Sequence, residues 1–186
     1  MSFSVDGKTV IVTGAANGIG AALARHFAEN DANVMCADID EKALKKDLGQ
    51  SGDDSNVRYF AGDLREKLTL ANLLSATVDA FDRVDVLVNA SRQVATTDPL
   101  DMDDETVEKL LQQNLMTSLR LSQMVAKRMI KQDEEQDHEF AGTIINLSSI
   151  AARLTQPDLL AYSVSTAALE QMTRSMAVAF AKYRIR

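Results

Sequence analysis

The sequence predicts an α/β fold: a doubly wound parallel sheet with helices on both faces. Short apolar runs rich in Val and Ile alternate with longer segments whose apolar residues recur at helical spacing. Each run is apolar throughout, which is typical of strands buried on both faces. A glycine-rich turn, Thr13–Gly20 (TGAANGIG), joins the first run to the first helical segment. The chain has 186 residues, 46% of them hydrophobic, so we expect a single domain spanning residues 1–186.

The elements follow from these patterns in chain order. The apolar runs predict five strands, at Lys8–Thr13, Asn33–Asp38, Val57–Ala61, Val84–Val88 and Thr143–Leu147. Helical spacing predicts Gly18–Asn30, Glu41–Leu48, Arg65–Phe81, Asp104–Lys131 (one helix or two joined end to end) and Ala161–Lys182. The polar segments Gly49–Asn56 and Asp133–Glu139 are expected to be solvated connections. His26 and His138 are expected to be packed or exposed, and no metal site is predicted.

Composition excludes several classes of function. The net charge of −7 argues against nucleic acid as a partner, because phosphate binding needs a basic surface. The single Cys36 cannot form an internal disulfide, which favours a reducing compartment. There is no signal-peptide pattern and no apolar run long enough to span a bilayer. We therefore expect a soluble, cytoplasmic protein without a membrane partner.

The glycine-rich turn is the first candidate site. Such a turn presents backbone N–H groups to an anion, with the dipole of the following helix behind them. Gly14 permits the turn, Gly18 permits close approach of the backbone, and Gly20 lets the helix pack against the strand. The spacing G-x-x-x-G-x-G also occurs in an ordinary strand-to-helix turn. By itself, the turn leaves both interpretations open.

Polar residues follow the other strands, where ligands bind in a parallel sheet. Asp38 ends the second strand and is placed to accept hydrogen bonds from the ribose hydroxyls of an adenosine. The same carboxylate would repel a 2′-phosphate, and no cation lies in Ala15–Asn17. Alternatively, Asp38 caps the following turn, and Asp63 caps the helix that starts near Arg65.

Two residues near the fifth strand can perform proton chemistry. Ser149 closes that strand, and Tyr162 follows thirteen residues later near the start of the last helix. Beside a bound cofactor, the serine would hydrogen-bond a substrate oxygen and the tyrosine would pass a proton. Taken singly, each has a structural alternative, as a turn residue and as an interface aromatic.

Together these residues resemble the short-chain dehydrogenase/reductase family, whose NAD(P)-dependent members have a Rossmann fold. TGAANGIG matches the family's TGxxxGxG turn, and Asn89-Ala90 begins its Asn-Ala-Gly motif. The resemblance implies catalytic positions at Asn114, Ser149, Tyr162 and Thr166. It implies cofactor-binding positions at Gly14, Asn17, Gly18, Ile19, Gly20, Asp38, Ile39, Asp63, Leu64, Asn89 and Ala90. Asp38 matches the acidic residue of members that prefer NAD, so NADP is the less favoured cofactor.

Three departures from the family pattern are visible. The family's catalytic lysine, four residues after the tyrosine, is replaced by Thr166, which supplies no positive charge. The glycine of the Asn-Ala-Gly motif is Ser91, followed by Arg92, and these side chains are placed to crowd or reshape the cleft. The chain ends at Ile185-Arg186, where a sixth strand is expected to begin, so the fold is expected to be C-terminally incomplete.

The resemblance implies an NAD-dependent oxidoreductase that moves a hydride between the cofactor and a secondary alcohol or ketone. The implied substrates are hydroxysteroids, 3-oxoacyl thioesters or sugar alcohols. Thr166 keeps open the alternative of a weak or inactive homologue that binds dinucleotide as a sensor or partner subunit. Family members pair their long helices, so a homodimer or homotetramer is expected. Apolar residues are available for that contact unless they face the sheet: Leu115, Leu119, Met124, Met172, Met176 and Phe180.

Overall fold

A five-stranded parallel sheet forms the centre of the fold in the computed structural model, which describes residues 4–48, 55–134, 140–154 and 156–186. The strands are β1 (Thr9–Thr13), β2 (Asn33–Asp38), β3 (Val57–Ala61), β4 (Val86–Asn89) and β5 (Thr143–Asn146). Their spatial order is β3-β2-β1-β4-β5, and every neighbouring pair is parallel. This confirms the predicted fold class. The order reverses direction at β1, which is where ligands bind in such sheets.

Helices cover both faces of the sheet. They are α1 (Gly18–Glu29), α2 (Glu41–Leu48), α3 (Lys67–Phe81), α4 (Thr106–Leu110), α5 (Thr117–Asp133) and α6 (Leu160–Phe180). A π-helical segment, Leu111–Met116, joins α4 to α5. One buried apolar cluster contains Ile11, Leu87 and Leu121, and another contains Val10, Val12 and Val34. Alternate residues of β1 therefore belong to different clusters, as the alternation of side chains along a strand requires.

Some predicted boundaries shift in the structure. β4 begins at Val86, two residues later than expected, because Asp85 binds the backbone N–H of Thr9 with its carboxylate at 2.9 Å. α3 begins at Lys67 after a turn that Asp63 forms with Arg65. The segment predicted to be helical, residues 104–131, contains two α-helices, α4 and α5, joined end to end by the π-helical segment. The expectation that all strands are fully buried is wrong for β3 and β5, because these strands lie at the edges of the sheet.

The last residues lie beside β5. Ile185 forms a parallel bridge with Gly142, and the Arg186 N–H donates to the Gly142 carbonyl at 3.0 Å. This pairing occurs where the sequence predicts the start of a sixth strand.

Within the described part of the chain, none of the helices has the length and hydropathy that crossing a bilayer requires. In the same residues, no group of acidic, His and Cys side chains has the arrangement of a metal site.

The remaining predictions concern peripheral residues. His26 is exposed on α1, and its ring lies 6.3 Å from that of Phe27. His138 lies outside the described residues, as does most of the connection around it. All six apolar residues considered for an oligomer contact are half-buried. Two of them, Met124 and Phe180, pack against the sheet core.

Candidate active site

The glycine turn has the geometry that its glycines predict. Gly14 has a φ of +68°, and a Cβ there would lie 2.8 Å from the Ser91 Cα. A Cβ on Gly20 would lie 2.1 Å from the Gly14 carbonyl oxygen, so α1 starts against the turn at a distance only glycine allows. Gly18 has a φ of +53° but open space around it. The left-handed backbone at this position favours glycine, and the open space leaves room for the close approach of a ligand, which stays a prediction.

The N-terminus of α1 is open towards solvent. Asn17 precedes the helix in an extended conformation, and its side chain makes no capping hydrogen bond. The first N–H groups of a helix have no acceptor within the helix. Asn17, Gly18 and Ile19 are all exposed. The helix therefore offers unpaired donors and its positive dipole end to a ligand.

A cleft of about 500 Å³ lies along the carboxyl ends of the strands. Ten of the eleven predicted cofactor-binding residues line it: Gly14, Asn17, Gly18, Ile19, Gly20, Asp38, Ile39, Asp63, Leu64 and Ala90. Its other lining residues include Gly62, Arg65, Ser91, Arg92, Gln93, Val94, Gln113 and Leu147. The glycine cradle, the open helix end and the size of the cleft fit a dinucleotide.

Asp38 connects the end of β2 to the glycine turn. One carboxylate oxygen accepts from the Ala16 N–H at 3.1 Å, and the other accepts from the Asp40 N–H at 3.1 Å. The side chain is half-buried and lines the cleft. Both predicted roles are therefore compatible, because each carboxylate oxygen can accept more than one hydrogen bond. Asp38 stabilises the glycine turn through its hydrogen bond with Ala16 and still lines the cleft.

Asp63 and Arg65 form an ion pair at one end of the cleft. The guanidinium lies 2.6 Å from the carboxylate, which also accepts from the Arg65 backbone N–H at 3.0 Å. Hydrogen bonding from Arg65 lowers the pKa of Asp63 below its usual range. Asp63 shapes the turn before α3, but the residue that directly precedes the helix is Glu66. Both side chains of the pair line the cleft.

Asn89 is the one predicted cofactor residue absent from the cleft wall. Its side-chain amide donates to the Ser122 hydroxyl at 3.0 Å and to the Asn146 side-chain oxygen at 2.8 Å. The residue is 3% exposed. Asn146 in turn donates to the Thr173 hydroxyl at 2.9 Å. Asn89 therefore joins β4 to β5 and α5, and the amide is directed into the protein because those partners satisfy it.

Ser149, expected to close β5, lies three residues after the strand ends at Asn146, directly before the short helical turn Ile150–Ala152. It lines another open depression, of about 340 Å³. Its hydroxyl oxygen accepts from the Ala151 N–H at 3.2 Å, which leaves the hydroxyl proton free to be donated. The neighbouring Ser148 hydroxyl donates to Glu170 at 3.1 Å. Removal from water disfavours the charged Glu170, but the Ser148 hydrogen bond and the cations Arg153 and Arg174 lower its pKa.

Tyr162 lies in the first turn of α6 and is 4% exposed. Its ring packs with Leu110 and Ala151, which places it close to the short helical turn after Ser149. The Tyr162 hydroxyl has no hydrogen-bond partner within the described ranges of the chain. Neither Tyr162 nor Ser149 lines the large cleft, and Ser149 lines the smaller depression instead.

Thr166 and Asn114 are both buried and hydrogen-bonded to protein groups. The Thr166 hydroxyl donates to the Tyr162 carbonyl at 2.8 Å. Asn114, in the π-helical segment, accepts from the Gln93 N–H at 2.8 Å and donates to the Gln93 carbonyl at 2.9 Å. It also donates to the Ser165 hydroxyl at 3.1 Å. Asn114 thus fixes the loop after β4 against α6.

Two further polar residues, Gln113 and Arg92, line the cleft beside Ser91. Gln113 precedes Asn114 and donates to the Ser91 hydroxyl at 3.1 Å. Arg92 donates to the Ser148 carbonyl at 3.3 Å, which connects the loops after β4 and β5. The departure from Asn-Ala-Gly marked Ser91 and Arg92. No local signal marked Gln113, because its place depends on how the π-helical segment packs.

Comparisons with known proteins agree with this architecture. The model of the short chain dehydrogenase family matches residues 8–186. An uncharacterized oxidoreductase from Thermotoga maritima is 34% identical over 185 residues, which are 98% of this chain and 69% of that protein. An NAD-dependent glycerol dehydrogenase from Listeria innocua is 28% identical over 98% of this chain and 68% of its own length.

A solved structure is similar over nearly the whole chain. It is a short-chain dehydrogenase/reductase of unknown function from Caenorhabditis elegans, solved with cofactor. The likeness has a TM-score of 0.86 and 31% identity, and it covers 99% of this chain and 68% of that one. The chain thus spans about two thirds of the length of these proteins. The chain belongs to the short-chain dehydrogenase family, a family of oxidoreductases.

Proposed function

We propose that the protein is an NAD-dependent oxidoreductase acting on a secondary alcohol or ketone. The observation that carries this proposal is the cleft, whose wall contains ten of the predicted cofactor residues. The turn from Gly14 to Gly20 would hold the pyrophosphate at the start of α1. Ile39 and Leu64 would contact the adenine. Ala90 and its neighbours would contact the nicotinamide half.

The choice of NAD over NADP depends on charge at the adenosine ribose. Asp38 supplies a carboxylate there, which favours ribose hydroxyls and repels a 2′-phosphate. Of the two arginines on the cleft wall, Arg65 is the one closer to Asp38 in the sequence, and its guanidinium is already paired with Asp63. A guanidinium held in this way is less available to a phosphate. The charge arrangement therefore supports NAD.

The chemistry assigned to the chain is proton transfer and orientation of the substrate oxygen. The cofactor held by the glycine turn would supply the transfer of a hydride from the alcohol carbon or to the ketone carbon. The Ser149 hydroxyl would donate to the substrate oxygen, and the Tyr162 phenol would carry the proton lost or gained by that oxygen. Asn114 would keep the surrounding loop in place through its two hydrogen bonds with Gln93.

The substrate proposed is a small polar alcohol or ketone. Hydroxysteroids, 3-oxoacyl thioesters and sugar alcohols are the classes that the family resemblance implies. The similarity to a glycerol dehydrogenase favours the last of these. The polar groups of Ser91, Gln93 and Gln113 at the cleft wall also suit a hydroxylated substrate.

A second candidate function is dinucleotide binding without efficient catalysis, and Thr166 is the observation that favours it. The residue is uncharged, and its hydroxyl is hydrogen-bonded to its own helix. Arg174, two turns further along α6, is ion-paired with Glu170 at 2.9 Å. Neither residue supplies a free cation near Tyr162. A sensor or partner subunit would need the cleft but not the proton relay.

Cofactor titration followed by turnover tests these proposals. Calorimetry should show tighter binding of NAD than of NADP. Absorbance of NADH should then change with ketones or alcohols from the three substrate classes. Tyr162→Phe should lower turnover by roughly 10²–10⁴-fold, the range for general acid–base catalysis, with little change in NAD affinity. NAD binding without any turnover would select the second function, and the absence of binding would reject both.

Self-association through α5 and α6 is a further part of the proposal. Together with the π-helical segment that precedes α5, these helices carry the six half-buried apolar residues named above. Light scattering should give the mass of a dimer or tetramer. A monomer at micromolar concentration would reject this part alone.

A further inference from the structure

Two arginines line the cleft within the described residues, and they differ in their partners. Arg65 is held by Asp63 at 2.6 Å. Arg92 is exposed, and its guanidinium makes a single hydrogen bond, of 3.3 Å, to the Ser148 carbonyl. No carboxylate in the described segments pairs with it. Arg92 therefore keeps most of its donors for a ligand, in a chain whose net charge is −7.

The position of Arg92 is close to the proposed reaction centre. The bond to Ser148 brings the guanidinium to the residue directly before Ser149. The nearby carboxylate of Glu170 already binds Arg153, Arg174 and the Ser148 hydroxyl. Among the described residues, Glu170 therefore has cationic partners that compensate its charge, while Arg92 has no carboxylate partner.

Uncharged hydrogen-bonding groups surround Arg92 on the cleft wall. Gln113 donates to the Ser91 hydroxyl at 3.1 Å, which fixes both side chains beside the loop that carries Arg92. Asn114 holds the next residue, Gln93, by its N–H and carbonyl. These hydrogen bonds hold the residues on either side of Arg92, while the Arg92 side chain remains exposed to solvent. A planar guanidinium so placed suits the bidentate binding of a carboxylate.

We infer that Arg92 forms a subsite for a carboxylate on the substrate, so that the protein favours hydroxy acids and oxo acids over neutral polyols. This rests on the proposed function but replaces the neutral sugar alcohol favoured there by a hydroxy acid or oxo acid of similar size. The alcohol or ketone oxygen would lie at Ser149, and the carboxylate would bind the guanidinium next to it. A phosphate of the cofactor is another anion that Arg92 can bind, so the test must separate the two.

The test compares glycerate with glycerol, which differ by a carboxylate in place of a hydroxymethyl group. Calorimetry on wild-type protein first measures NAD binding, which tests the proposed function alone. Titration of NAD-saturated protein should then show tighter binding of glycerate. Arg92→Gln should weaken glycerate at least about tenfold, or about 1.4 kcal/mol, while leaving glycerol and NAD affinities within about twofold. Arg92→Lys should bind glycerate with an affinity between those of the wild type and Arg92→Gln. Lysine keeps the positive charge but cannot form the two parallel hydrogen bonds of a guanidinium.

Arg25→Gln is the matched control, since Arg25 is exposed on α1, away from the cleft wall, and its loss changes the net charge equally. It should leave glycerate binding unchanged. Equal effects of Arg92→Gln on glycerate and glycerol would overturn the inference. So would a tenfold loss of NAD affinity, which would assign Arg92 to the cofactor, or wild-type protein that binds NAD but does not prefer glycerate. Failure of the wild type to bind NAD would reject the proposed function and this subsite with it.

Discussion

The Thr166 hydroxyl donates a hydrogen bond to the backbone carbonyl of Tyr162, 2.8 Å away and one turn earlier in α6. The Ser163 carbonyl is a second, longer acceptor at 3.2 Å. Thr166 is 3% exposed, and Tyr162 is 4% exposed. The hydroxyl is therefore occupied within the helix. It would have to leave these carbonyls before it could donate to a bound cofactor.

Replacing Thr166 with lysine should increase turnover and move the pH optimum towards neutrality. Residues four apart lie on the same face of a helix, so the ammonium would lie near the Tyr162 side chain. A nearby positive charge favours the phenolate, which is the form that accepts a proton. Initial rates of NADH formation from pH 6 to 10 measure the effect. A lysine variant that binds NAD normally and stays inert on a broad panel would support the binding-only function.

Thr166→Val is the control for the lysine variant. It keeps the shape of the side chain and removes only the hydroxyl. Because that hydroxyl bonds to carbonyls already used by the helix, we expect stability to change by less than about 1 kcal/mol. NAD affinity should also stay within twofold of wild type, on the order of 0.4 kcal/mol. A large loss of NAD affinity would mean that the hydroxyl rotates to hold the cofactor.

Asp38→Ala should reduce the preference for NAD over NADP. The substitution removes the charge that faces a 2′-phosphate, and it also removes the acceptors for the Ala16 and Asp40 N–H groups. We therefore expect weaker NAD binding, together with a smaller difference between the affinities for NAD and for NADP. Asp38→Asn helps to separate the effects, because it removes the charge while its single amide oxygen can still accept from one of the two N–H groups. Calorimetric titration with both cofactors provides the measurement. Wild-type protein that binds NADP as tightly as NAD would contradict the assignment.

Gly20→Ala should destabilise the fold more than Gly18→Asn. The new Cβ at position 20 would meet the Gly14 carbonyl at 2.1 Å, so strand and helix must separate. Overpacking of this kind costs up to about 3 kcal/mol. Position 18 has open space and a φ of +53°, and the left-handed backbone there costs roughly 1 kcal/mol. Urea unfolding followed by circular dichroism compares the two. If both variants lost the same free energy of unfolding, the result would show that the turn relaxes around the methyl group added at position 20.

Cys36 should make stability fall with pH in the alkaline range. Burial raises its pKa from 9.0 to about 12. Below pH 9 both states keep the thiol proton, so the group adds no pH dependence there. Between these pKa values only the unfolded state releases the proton, and stability falls by about 1.4 kcal/mol per pH unit.

Cys36→Ala should lack this alkaline decrease. Urea unfolding of both proteins at pH 8 and pH 10 isolates the thiol, because all other groups are shared. The wild type should lose about 1.4 kcal/mol more than the variant between the two values. The native thiol should also resist alkylation at pH 8, since it is completely buried. Parallel pH profiles for the two proteins would count against the burial argument.

The succession of strands and helices along the chain and the place of the glycine turn could be predicted from the amino-acid pattern alone. β2, α2 and β3 have the predicted bounds, and the other main elements differ by a few residues at their ends. These features are local: apolar periodicity, glycine and the polar residues that end strands act through near neighbours. Most of the residues that line the cleft could be predicted for the same reason, because parallel strands bring their carboxyl ends to one edge of the sheet.

The directions of individual polar side chains depend on how the chain folds. Asn89 turns away from the cleft because Ser122 and Asn146 satisfy its amide, and both come from distant parts of the chain. Arg92 reaches Ser148 across 56 positions of sequence. Thr166 could face a ligand or its own helix, and packing selects the helix. Periodicity places a residue on an element, but the direction of its hydrogen bonds depends on partners that folding brings near.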